Sequence, residues 1–392
     1  MSKRVGGFIN QDGLNAPDEP TNVTGSAGDQ QVSVSFTAPA DAGGAAVSGY
    51  RVTDSTGAHG ASGSSSPITV SGLTNDTAYT FRVWAINPFG WSAPSGTASA
   101  TPAAPIALFA GGYSGSAATN AISYVTFGTA GNASDFGDLL AAEYISGGSC
   151  ASTTRALIYD TNTTNYFTVP TTGNAADFGA LTVARNATEG LSSSTRGIFA
   201  GGYSGGSVNY IDYVTIATIG SAADFGDLYL NMGYGGACSS PTRGLIGPSN
   251  ASSGDTNVIQ YITIATLGNS SDFGDNNFIT NSEGQTMCSN STRALLAGGG
   301  GSSPRNAVSY VTIATTGNAT DFGDITVGRR NLAGAASSTV AIFSGGSNAS
   351  DNPYNTIDYL TIATTGNAAD FGDLPTVLMY HGSTSNGHGG LA

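Results

Sequence analysis

Residues 313–324 read Ile-Ala-Thr-Thr-Gly-Asn-Ala-Thr-Asp-Phe-Gly-Asp, and residues 362–373 repeat this phrase with a single substitution. Its Asp-Phe-Gly core occurs six times, with the aspartate at positions 135, 177, 224, 272, 321 and 370. Successive copies are 42 to 49 residues apart, which is the length of a unit of four short strands and exceeds an ankyrin or leucine-rich unit. The larger part of the chain is therefore predicted to consist of six similar units.

The order of elements within one unit can be followed between residues 185 and 228. A polar strand at 187–195 precedes an apolar strand that ends in two glycines at 197–202. An alternating strand at 210–217 and a recurring turn then lead to a fourth strand that opens with the Asp-Phe-Gly phrase. Four antiparallel strands form one blade of a β-propeller, so the repeats predict six blades.

This order resembles the kelch repeat, in which an apolar strand ends in Gly-Gly and aromatic residues follow in the third and fourth strands. The glycine pairs are Gly111 and Gly112, Gly201 and Gly202, Gly298 and Gly299, and Gly345 and Gly346. The third-strand aromatic residues are Tyr124, Tyr213, Tyr261, Tyr310 and Tyr359. The residues in place of the kelch tryptophan are Phe136, Phe178, Phe225, Phe273, Phe322 and Phe371. The resemblance covers residues 105–392 and implies an all-β, six-bladed propeller, but no single function, because kelch propellers include oxidases, adaptors and lectins.

The two ends of the repeat region indicate how the ring closes. The first of the six repeats begins at Ile106, already on its second strand. The chain continues beyond the sixth Asp-Phe-Gly phrase through Tyr380, Ser383 and Thr384. These last residues look like a first strand that lacks a unit of its own. We expect this strand to complete the first blade and so to remove the open edges of the ring.

Residues 17–103 show a different pattern, with short alternating strands separated by turns. Leu73 is followed six positions later by Tyr79, and Phe81 and Val83 then alternate with other residues. This segment resembles a fibronectin type III domain, which is a β-sandwich. The resemblance implies that Leu73 and Tyr79 form the corner between two late strands, with the tyrosine hydroxyl bonded to backbone. Phe36 stands where the family usually has tryptophan, and we expect its ring to fill the core.

Charge and composition exclude several classes of function. The chain has a net charge of −14, a pI near 4.3 and a single lysine, so its field repels nucleic acids and anionic lipid headgroups. It has no apolar stretch of about 18 residues, and residues 1–10 lack the apolar region of a signal peptide. We therefore expect no nucleic-acid partner, no membrane insertion and no export through the general secretory route.

Residues with catalytic or metal-binding chemistry are few and isolated. The three histidines are His59, His381 and His388. None lies near a serine nucleophile pattern or a second histidine at metal spacing. Cys150, Cys238 and Cys288 each precede an arginine by five residues, so they occupy equivalent positions in different repeats, too far apart for disulfides. We expect three buried free thiols, no cofactor, no catalytic residue and no enzymatic activity.

The recurring Gly-Asn-Ala-x-Asp-Phe-Gly-Asp phrase groups oxygen ligands that a calcium ion could use. In two copies the candidate ligands are Asp135 with Asp138, and Asp321 with Asp324. The second copy has Ala180 in place of the last aspartate, and the spacing differs from that of known calcium loops. The alternative is turn chemistry, in which asparagine adopts left-handed geometry, aspartate caps backbone N–H groups and phenylalanine fills the interior.

A second recurring feature is an arginine that follows threonine at the start of the second strand. It occurs as Arg155, Arg196, Arg243 and Arg293, and the fifth copy has Val340. Each repeat also supplies an aspartate. We therefore expect arginine–carboxylate pairs between neighbouring blades.

The connection between the second and third strands differs most among the six units, whereas the turn between the third and fourth strands hardly changes. In an up-and-down blade the two-three and four-one connections leave from the same face, so one face is diverse and the other uniform. Diverse loops on a rigid scaffold are typical of recognition surfaces, although unconstrained drift would give the same pattern. The candidate recognition residues are Tyr113, Tyr203, Asn257, Arg305 and Tyr354.

Residues 1–16 form a glycine-rich arm too short to fold alone, in which Phe8 and Ile9 would anchor the chain to another subunit. The arm, the near-identical repeats and the fused fibronectin-type domain together resemble structural proteins of marine tailed phages. This resemblance implies a virion-surface protein, either a tail fibre or a capsid decoration, assembled in the host bacterial cytoplasm and present in multiple copies. Its expected partners are other virion proteins and a host-surface glycan or receptor. The alternatives are a bacterial cell-surface or secreted glycan-binding lectin and, third, a kelch-type enzyme.

Overall fold

The computed structural model describes residues 14–145, 148–161, 163–169, 171–251, 254–277 and 284–391. The chain divides into two compact units, residues 1–105 and 106–392. Within the described residues both units consist of β-strands and connections, apart from one 3-10 turn at Gly389–Leu391. No helix in this part of the chain is long and apolar enough to cross a membrane.

The first unit is a β-sandwich of two antiparallel sheets. Its strands are β1 (Thr21–Gly28), β2 (Gln31–Thr37), β3 (Gly49–Asp54), β4 (Gly60–Gly63), β5 (Ile68–Ser71), β6 (Tyr79–Asn87), β7 (Gly90–Trp91) and β8 (Ala98–Ala100). One sheet has the order β1-β2-β5, and the other has the order β4-β3-β6-β7 with β8 also paired to β6. Val34, Val52 and Val83 are fully buried in the shared core. The Phe36 ring lies 4.7 Å from the Tyr50 ring, so phenylalanine fills this core as predicted.

The predicted corner of the sandwich is present. Tyr79 begins β6, and its hydroxyl oxygen accepts a hydrogen bond from the backbone N–H of Thr74 at 3.1 Å. Leu73 is buried in the same core as Val70 and Phe81. The hydroxyl bond fastens the connection after β5 to the start of β6.

Within its described residues, the second unit contains six four-stranded antiparallel sheets. The first ten of its strands in chain order are β9 (Ile106–Ala110), β10 (Ala121–Thr126), β11 (Ser134–Asp138), β12 (Ser149–Ala151), β13 (Arg155–Tyr159), β14 (Thr164–Thr168), β15 (Ala176–Gly179), β16 (Glu189–Ser192), β17 (Arg196–Ala200) and β18 (Val208–Thr215). The next eight are β19 (Ala223–Met232), β20 (Ala237–Ser239), β21 (Arg243–Ile246), β22 (Asn250–Ala251), β23 (Gly254–Asp255), β24 (Val258–Thr263), β25 (Ser271–Asp275) and β26 (Gln285–Ser289). The last eight are β27 (Arg293–Gly298), β28 (Ala307–Thr312), β29 (Thr320–Asp324), β30 (Ala333–Ala336), β31 (Val340–Ser344), β32 (Tyr354–Thr361), β33 (Ala369–Leu378) and β34 (Gly382–Ser385).

Five of the six sheets take their strands in chain order. They are β12-β13-β14-β15, β16-β17-β18-β19, β20-β21-β24-β25, β26-β27-β28-β29 and β30-β31-β32-β33. The short strands β22 and β23 pair with each other in a small hairpin. The remaining sheet has the order β11-β10-β9-β34, so the last strand of the chain completes it. Gly382 pairs with Ala110, and Ser385 pairs with Ala107. The predicted pairing of the chain end with the first repeat is confirmed.

The Asp-Phe-Gly phrase lies on the fourth strand of every sheet. Its phenylalanine is buried and meets a third-strand tyrosine edge to face, with ring centres 5.8–6.2 Å apart. The pairs are Tyr124–Phe136, Tyr166–Phe178, Tyr213–Phe225, Tyr261–Phe273, Tyr310–Phe322 and Tyr359–Phe371. Each repeat therefore has the same aromatic core. An aromatic pair of this geometry adds about 0.5–1.5 kcal/mol to the stability of the fold beyond the effect of its buried area.

The turn before each fourth strand joins its sheet to the preceding one. The backbone N–H of Ala175 donates to the carbonyl of Asp138 at 2.8 Å. Equivalent bonds run from Ala222 to Ala180, Ser270 to Asp227, Ala319 to Asp275 and Ala368 to Asp324. The sixth runs from Ala133 to Asp373 at 2.8 Å and joins the last sheet to the first. The strands β12, β16, β20, β26, β30 and β34 also contact one another in cyclic order.

The predicted arginine–carboxylate pairs are wrong for the four recurring arginines. Each guanidinium lies over a tyrosine of its own sheet, 4.4–4.8 Å from the ring centre. Each also donates to a carbonyl just beyond the third strand of the next sheet, at 2.6–2.8 Å. The pairs are Arg155 with Ile216, Arg196 with Ile264, Arg243 with Ile313 and Arg293 with Ile362. The repeat aspartate is used locally instead, since Asp272 accepts from the backbone N–H of Gly274 at 3.0 Å.

Candidate functional site

Two sets of connections meet on one surface of the second unit. The loops between second and third strands lie beside the segments that lead from a fourth strand to the next first strand. Backbone hydrogen bonds join one of each kind, as between Asn186 and Tyr203 and between Arg330 and Ser347. We call this surface the loop face. As expected from the sequence, it is formed by the connections between second and third strands together with those between fourth and first strands. The recurring turns between third and fourth strands lie at the opposite strand ends.

Four of the five predicted recognition residues belong to loops of this face, and Tyr354 is the first residue of β32, where such a loop ends. The five are associated with five different sheets. Tyr203 is 42 % exposed and Arg305 is also exposed, whereas Tyr113, Asn257 and Tyr354 are half-buried. Asn257 donates through Nδ2 to Oδ1 of Asn277 at 3.1 Å, so part of its hydrogen-bonding capacity is used locally. Because the five residues are distributed over five sheets, they form a dispersed surface and not a single compact cluster.

Further tyrosines of the loop face were not predicted from the sequence. The Tyr113 ring stacks on Tyr144 at 5.2 Å with an angle of 19°, and Tyr144 lies 6.4 Å from Tyr380. The Tyr203 ring lies 6.5 Å from Tyr234. Tyr144, Tyr234 and Tyr380 each lie between a fourth strand and the next first strand. A tyrosine that recurs at this place in three repeats is the sequence signal that could have identified them. The structure therefore assembles two aromatic groups from both kinds of connection.

Buried ion pairs hold the loop face in two of the repeats. The side chain of Arg185 is fully buried and donates to Asp212 Oδ2 at 2.8 Å and to the carbonyl of Gly201 at 2.7 Å. The Thr182 hydroxyl donates to the other carboxylate oxygen of Asp212 at 2.6 Å. Gly201 opens the predicted glycine pair and has a left-handed φ of 61°. The arginine therefore fixes the point where the second strand turns into the variable loop.

The second buried pair repeats this arrangement. Arg329 bonds to Asp358 and donates to the carbonyl of Gly345 at 2.9 Å, and Thr326 donates to Asp358 at 2.6 Å. Burial lowers the pKa of Arg329 and raises that of Asp358, while the opposite charge of each partner works against both shifts. Removing one partner would leave an uncompensated buried charge, which is strongly destabilising. Neither pair was predicted from the sequence, because the other repeats have serine, asparagine or glutamine in place of Asp212 and Asp358.

The cysteines are free and buried, as predicted. Burial raises the pKa of Cys150 and of Cys238 to about 12, and it raises the pKa of Cys288 as well. The thiolate is the nucleophilic form of cysteine. These three thiols therefore remain protonated at neutral pH and are poor candidates for covalent catalysis.

The calcium candidates lie on fourth strands, where their backbone has a structural role. The N–H of Asp138 donates to Oδ1 of Asn174 at 3.1 Å, and the N–H of Asp324 donates to Oδ1 of Asn367 at 3.1 Å. Each asparagine belongs to the turn of the following sheet. Among the described residues, no group of three or more His, Cys, Asp or Glu side chains is close enough to hold a metal ion. Calcium binding by Asp135, Asp138, Asp321 and Asp324 stays a prediction without structural support.

The predicted anchoring residues Phe8 and Ile9 lie outside the described residues.

Comparison with known proteins identifies one part of the chain. Residues 18–101 match the model of the fibronectin type III domain, which agrees with the sandwich topology and the tyrosine corner of the first unit. No curated protein matches the chain.

Proposed function

We propose that the second unit is a six-bladed, kelch-like β-propeller and that the protein is a non-enzymatic structural component of a phage virion. In this proposal the N-terminal arm attaches the protein to the particle, as part of a tail fibre or of a capsid-surface decoration. The loop face then binds a glycan or another receptor on the bacterial host. The observation that carries the recognition role is the contrast between the varied, tyrosine-bearing loop face and the uniform turn face.

Cyclic contacts support the propeller. The same backbone bond links each sheet to the next and the sixth sheet to the first, from Ala133 to Asp373. The pairing of β34 with β9 joins the two ends of the unit within one sheet. Radially repeated four-stranded sheets that leave short, protected edges are the defining features of a propeller.

Side-chain chemistry favours recognition of a neutral ligand over catalysis. The thiols are protonated at neutral pH, and the buried arginines Arg185 and Arg329 are engaged by Asp212 and Asp358. The exposed groups of the loop face include Tyr144 and Tyr203. Tyrosine supplies a flat apolar face together with a hydroxyl at low conformational cost, which suits a sugar ring better than a strongly charged ligand.

The virion assignment rests on the sequence resemblance to structural proteins of tailed phages. An arm with two large apolar side chains would attach by burying them, and each would contribute about 1.5–3 kcal/mol. Multiple copies on one particle would add avidity to weak individual sugar contacts. Assembly in a bacterial cytoplasm is compatible with three free thiols.

Three experiments test this function. Mass spectrometry of purified particles should detect the protein, and deletion of residues 2–15 should leave a folded, monodisperse protein that no longer incorporates. Normal incorporation of the truncated protein would refute anchoring by the arm. A glycan array probed with the full chain should show binding to neutral glycans of the host surface. Glycan binding by a protein that is absent from particles would favour the lectin alternative.

A further inference from the structure

A cavity opens on the loop face where the first strands of the sheets begin. It encloses about 50 Å³ and is lined by Glu189, Tyr234, Gln285, Asn331, Tyr380 and His381, among others. Tyr234, Asn331 and the pair Tyr380 and His381 come from three connections between a fourth strand and a first strand. Glu189 and Gln285 are the first residues of β16 and β26. Since a buried water needs about 10–15 Å³, the cavity has room for roughly three to five water-sized groups.

The other end of the first strands is occupied by the chain terminus. His388 bonds through Nε2 to the carbonyl of Ala151 at 2.9 Å, and Gly390 packs against the carbonyl of Ser192 with no room for a side chain. The 3-10 turn that follows His388 contacts β16 and β20. Access to the cavity is therefore from the loop face.

Several buried polar atoms that line the cavity have no hydrogen-bond partner among the residues that the structure describes. They are Oε1 and Nε2 of Gln285, Nδ2 of Asn331 and Nδ1 of His381. These residues are at most 8 % exposed. Buried polar side-chain atoms are normally hydrogen-bonded, and an isolated amide or imidazole nitrogen is costly to desolvate. The concentration of four such atoms around one cavity indicates hydrogen-bonding positions that water or a ligand fills.

The backbone around the cavity is strained in a regular way. Tyr234, Asn331 and Tyr380 have φ values of 64°, 57° and 54°, and Gly284 takes the equivalent position with 71°. Backbone hydrogen bonds run from Gly284 to Tyr234, from Asn331 to Gly284 and from Tyr380 to Asn331, at 2.8–3.1 Å. Left-handed backbone is unfavourable for non-glycine residues and concentrates at functional sites. These bonded left-handed residues therefore fix the backbone that surrounds the cavity.

The cavity is close to uncharged at neutral pH. Glu189 accepts a hydrogen bond from the backbone N–H of Gly235 at 2.6 Å, and burial raises its pKa to about 8. Burial lowers the pKa of His381 to about 3, so its imidazole is neutral, and its Nε2 bonds to the Ser344 hydroxyl at 2.8 Å. The nearby charge of Arg329 is paired with Asp358. The lining therefore offers neutral donors and acceptors, which suit a ligand with hydroxyl or amide groups and not a phosphate or carboxylate.

We propose that this cavity binds one residue of a neutral glycan. A hydroxymethyl or acetamido substituent of the sugar enters between Gln285, Asn331 and His381, and the ring lies against Tyr234 or Tyr380. The tyrosine groups that continue outward to Tyr144 and Tyr203 then accommodate neighbouring sugar residues. The proposal rests on the glycan-recognition role of the loop face and assigns that role to particular residues.

The test measures sugar binding by the full chain with nuclear magnetic resonance. The probes are glucose, galactose, mannose, N-acetylglucosamine and N-acetylgalactosamine, each to about 50 mM, with the anionic sugar N-acetylneuraminate as the comparison. We expect at least one neutral sugar to bind with a Kd in the range of about 1–10 mM and N-acetylneuraminate not to bind. Gln285→Met, which keeps the side-chain length and removes both unpartnered atoms, should weaken binding at least about tenfold without lowering the melting temperature. Tyr229→Leu, at a residue 63 % exposed on β19, is the control and should bind as the wild type does.

Absence of binding by all five neutral sugars, or equal binding by the wild type and Gln285→Met, would overturn the proposal. If Gln285→Met does not fold, Asn331→Gly is measured against the same criterion, because glycine accepts the left-handed backbone at that position. A glycan that binds on the array with undiminished affinity for both cavity variants would leave recognition by the loop face standing and would overturn only the cavity assignment.

Discussion

Alanine substitution at Gly323 tests the contact between neighbouring sheets. Gly323 belongs to the fifth Asp-Phe-Gly phrase and has a φ of 148°, and a Cβ atom there would overlap the carbonyl oxygen of Gly366 in the next sheet. Gly317 lies six residues earlier with a φ of 158°, and a Cβ atom there would have nothing within 4 Å. The two substitutions impose similar backbone strain, so Gly317→Ala is a matched control for the clash.

The expected difference follows from the bonds that the clash would displace. The N–H of Gly366 donates to Phe322 at 2.8 Å, the N–H of Ala368 donates to Asp324 at 2.7 Å, and the N–H of Asp324 donates to Oδ1 of Asn367 at 3.1 Å. At about 1 kcal/mol each, their loss would lower the free energy of unfolding by about 3 kcal/mol. Backbone strain of about 1–3 kcal/mol is common to both variants and cancels in the comparison.

Equilibrium unfolding in urea, followed by circular dichroism, measures the two losses of stability. We expect Gly323→Ala to lose about 3 kcal/mol more than Gly317→Ala. Losses that agree within about 0.5 kcal/mol would refute the reasoning, because they would mean that close approach between the sheets contributes nothing beyond local strain.

Three further predictions concern titration, thiol reactivity and the chain end. The pKa of Glu189 is about 8 in the folded protein and near 4.5 when unfolded, so folding favours its protonated form and stability should fall as pH rises between these values. The free energy of unfolding lost in this way amounts to about 5 kcal/mol above pH 8, and Glu189→Gln should remove the loss. Unfolding of the variant with the same pH dependence as the wild type would contradict this prediction. Cys150, Cys238 and Cys288 should resist a thiol reagent in the native protein and react only after unfolding; rapid labelling of all three would contradict their burial. A chain that ends at Tyr380 lacks β34 and should unfold less cooperatively than the full chain, whereas identical melting curves would show that β34 does not contribute to the stability of the second unit.

The repeated features of the second unit could be read from the sequence because they depend on short, local patterns. The Asp-Phe-Gly phrase indicated a fourth strand with an alternating strand before it, and the kelch resemblance named aromatic positions on both, such as Tyr310 and Phe322. The edge-to-face contact of these rings, and the equivalent role of Tyr166, came from the structure. The corner at Leu73 and Tyr79 was predicted from the resemblance to a fibronectin type III domain, which implies this role for the two residues.

Features that join different repeats were harder to predict. The acceptor for Arg243 is the carbonyl of Ile313 in the next sheet, and its identity depends on how two sheets are placed side by side. The cavity brings together Tyr234 and His381, from two separate connections, and Gln285, the first residue of β26. None of these three segments has a distinctive sequence pattern. Only the three-dimensional arrangement shows that their polar and aromatic groups meet.

The most direct test of recognition by the loop face is a crystal structure of the full chain bound to the neutral glycan that gives the strongest array signal. We predict that the glycan lies on the loop face, with one sugar residue against Tyr234 or Tyr380 and hydrogen-bonded to Gln285. A glycan bound only on the turns between third and fourth strands, or only on the fibronectin type III domain, would contradict the account.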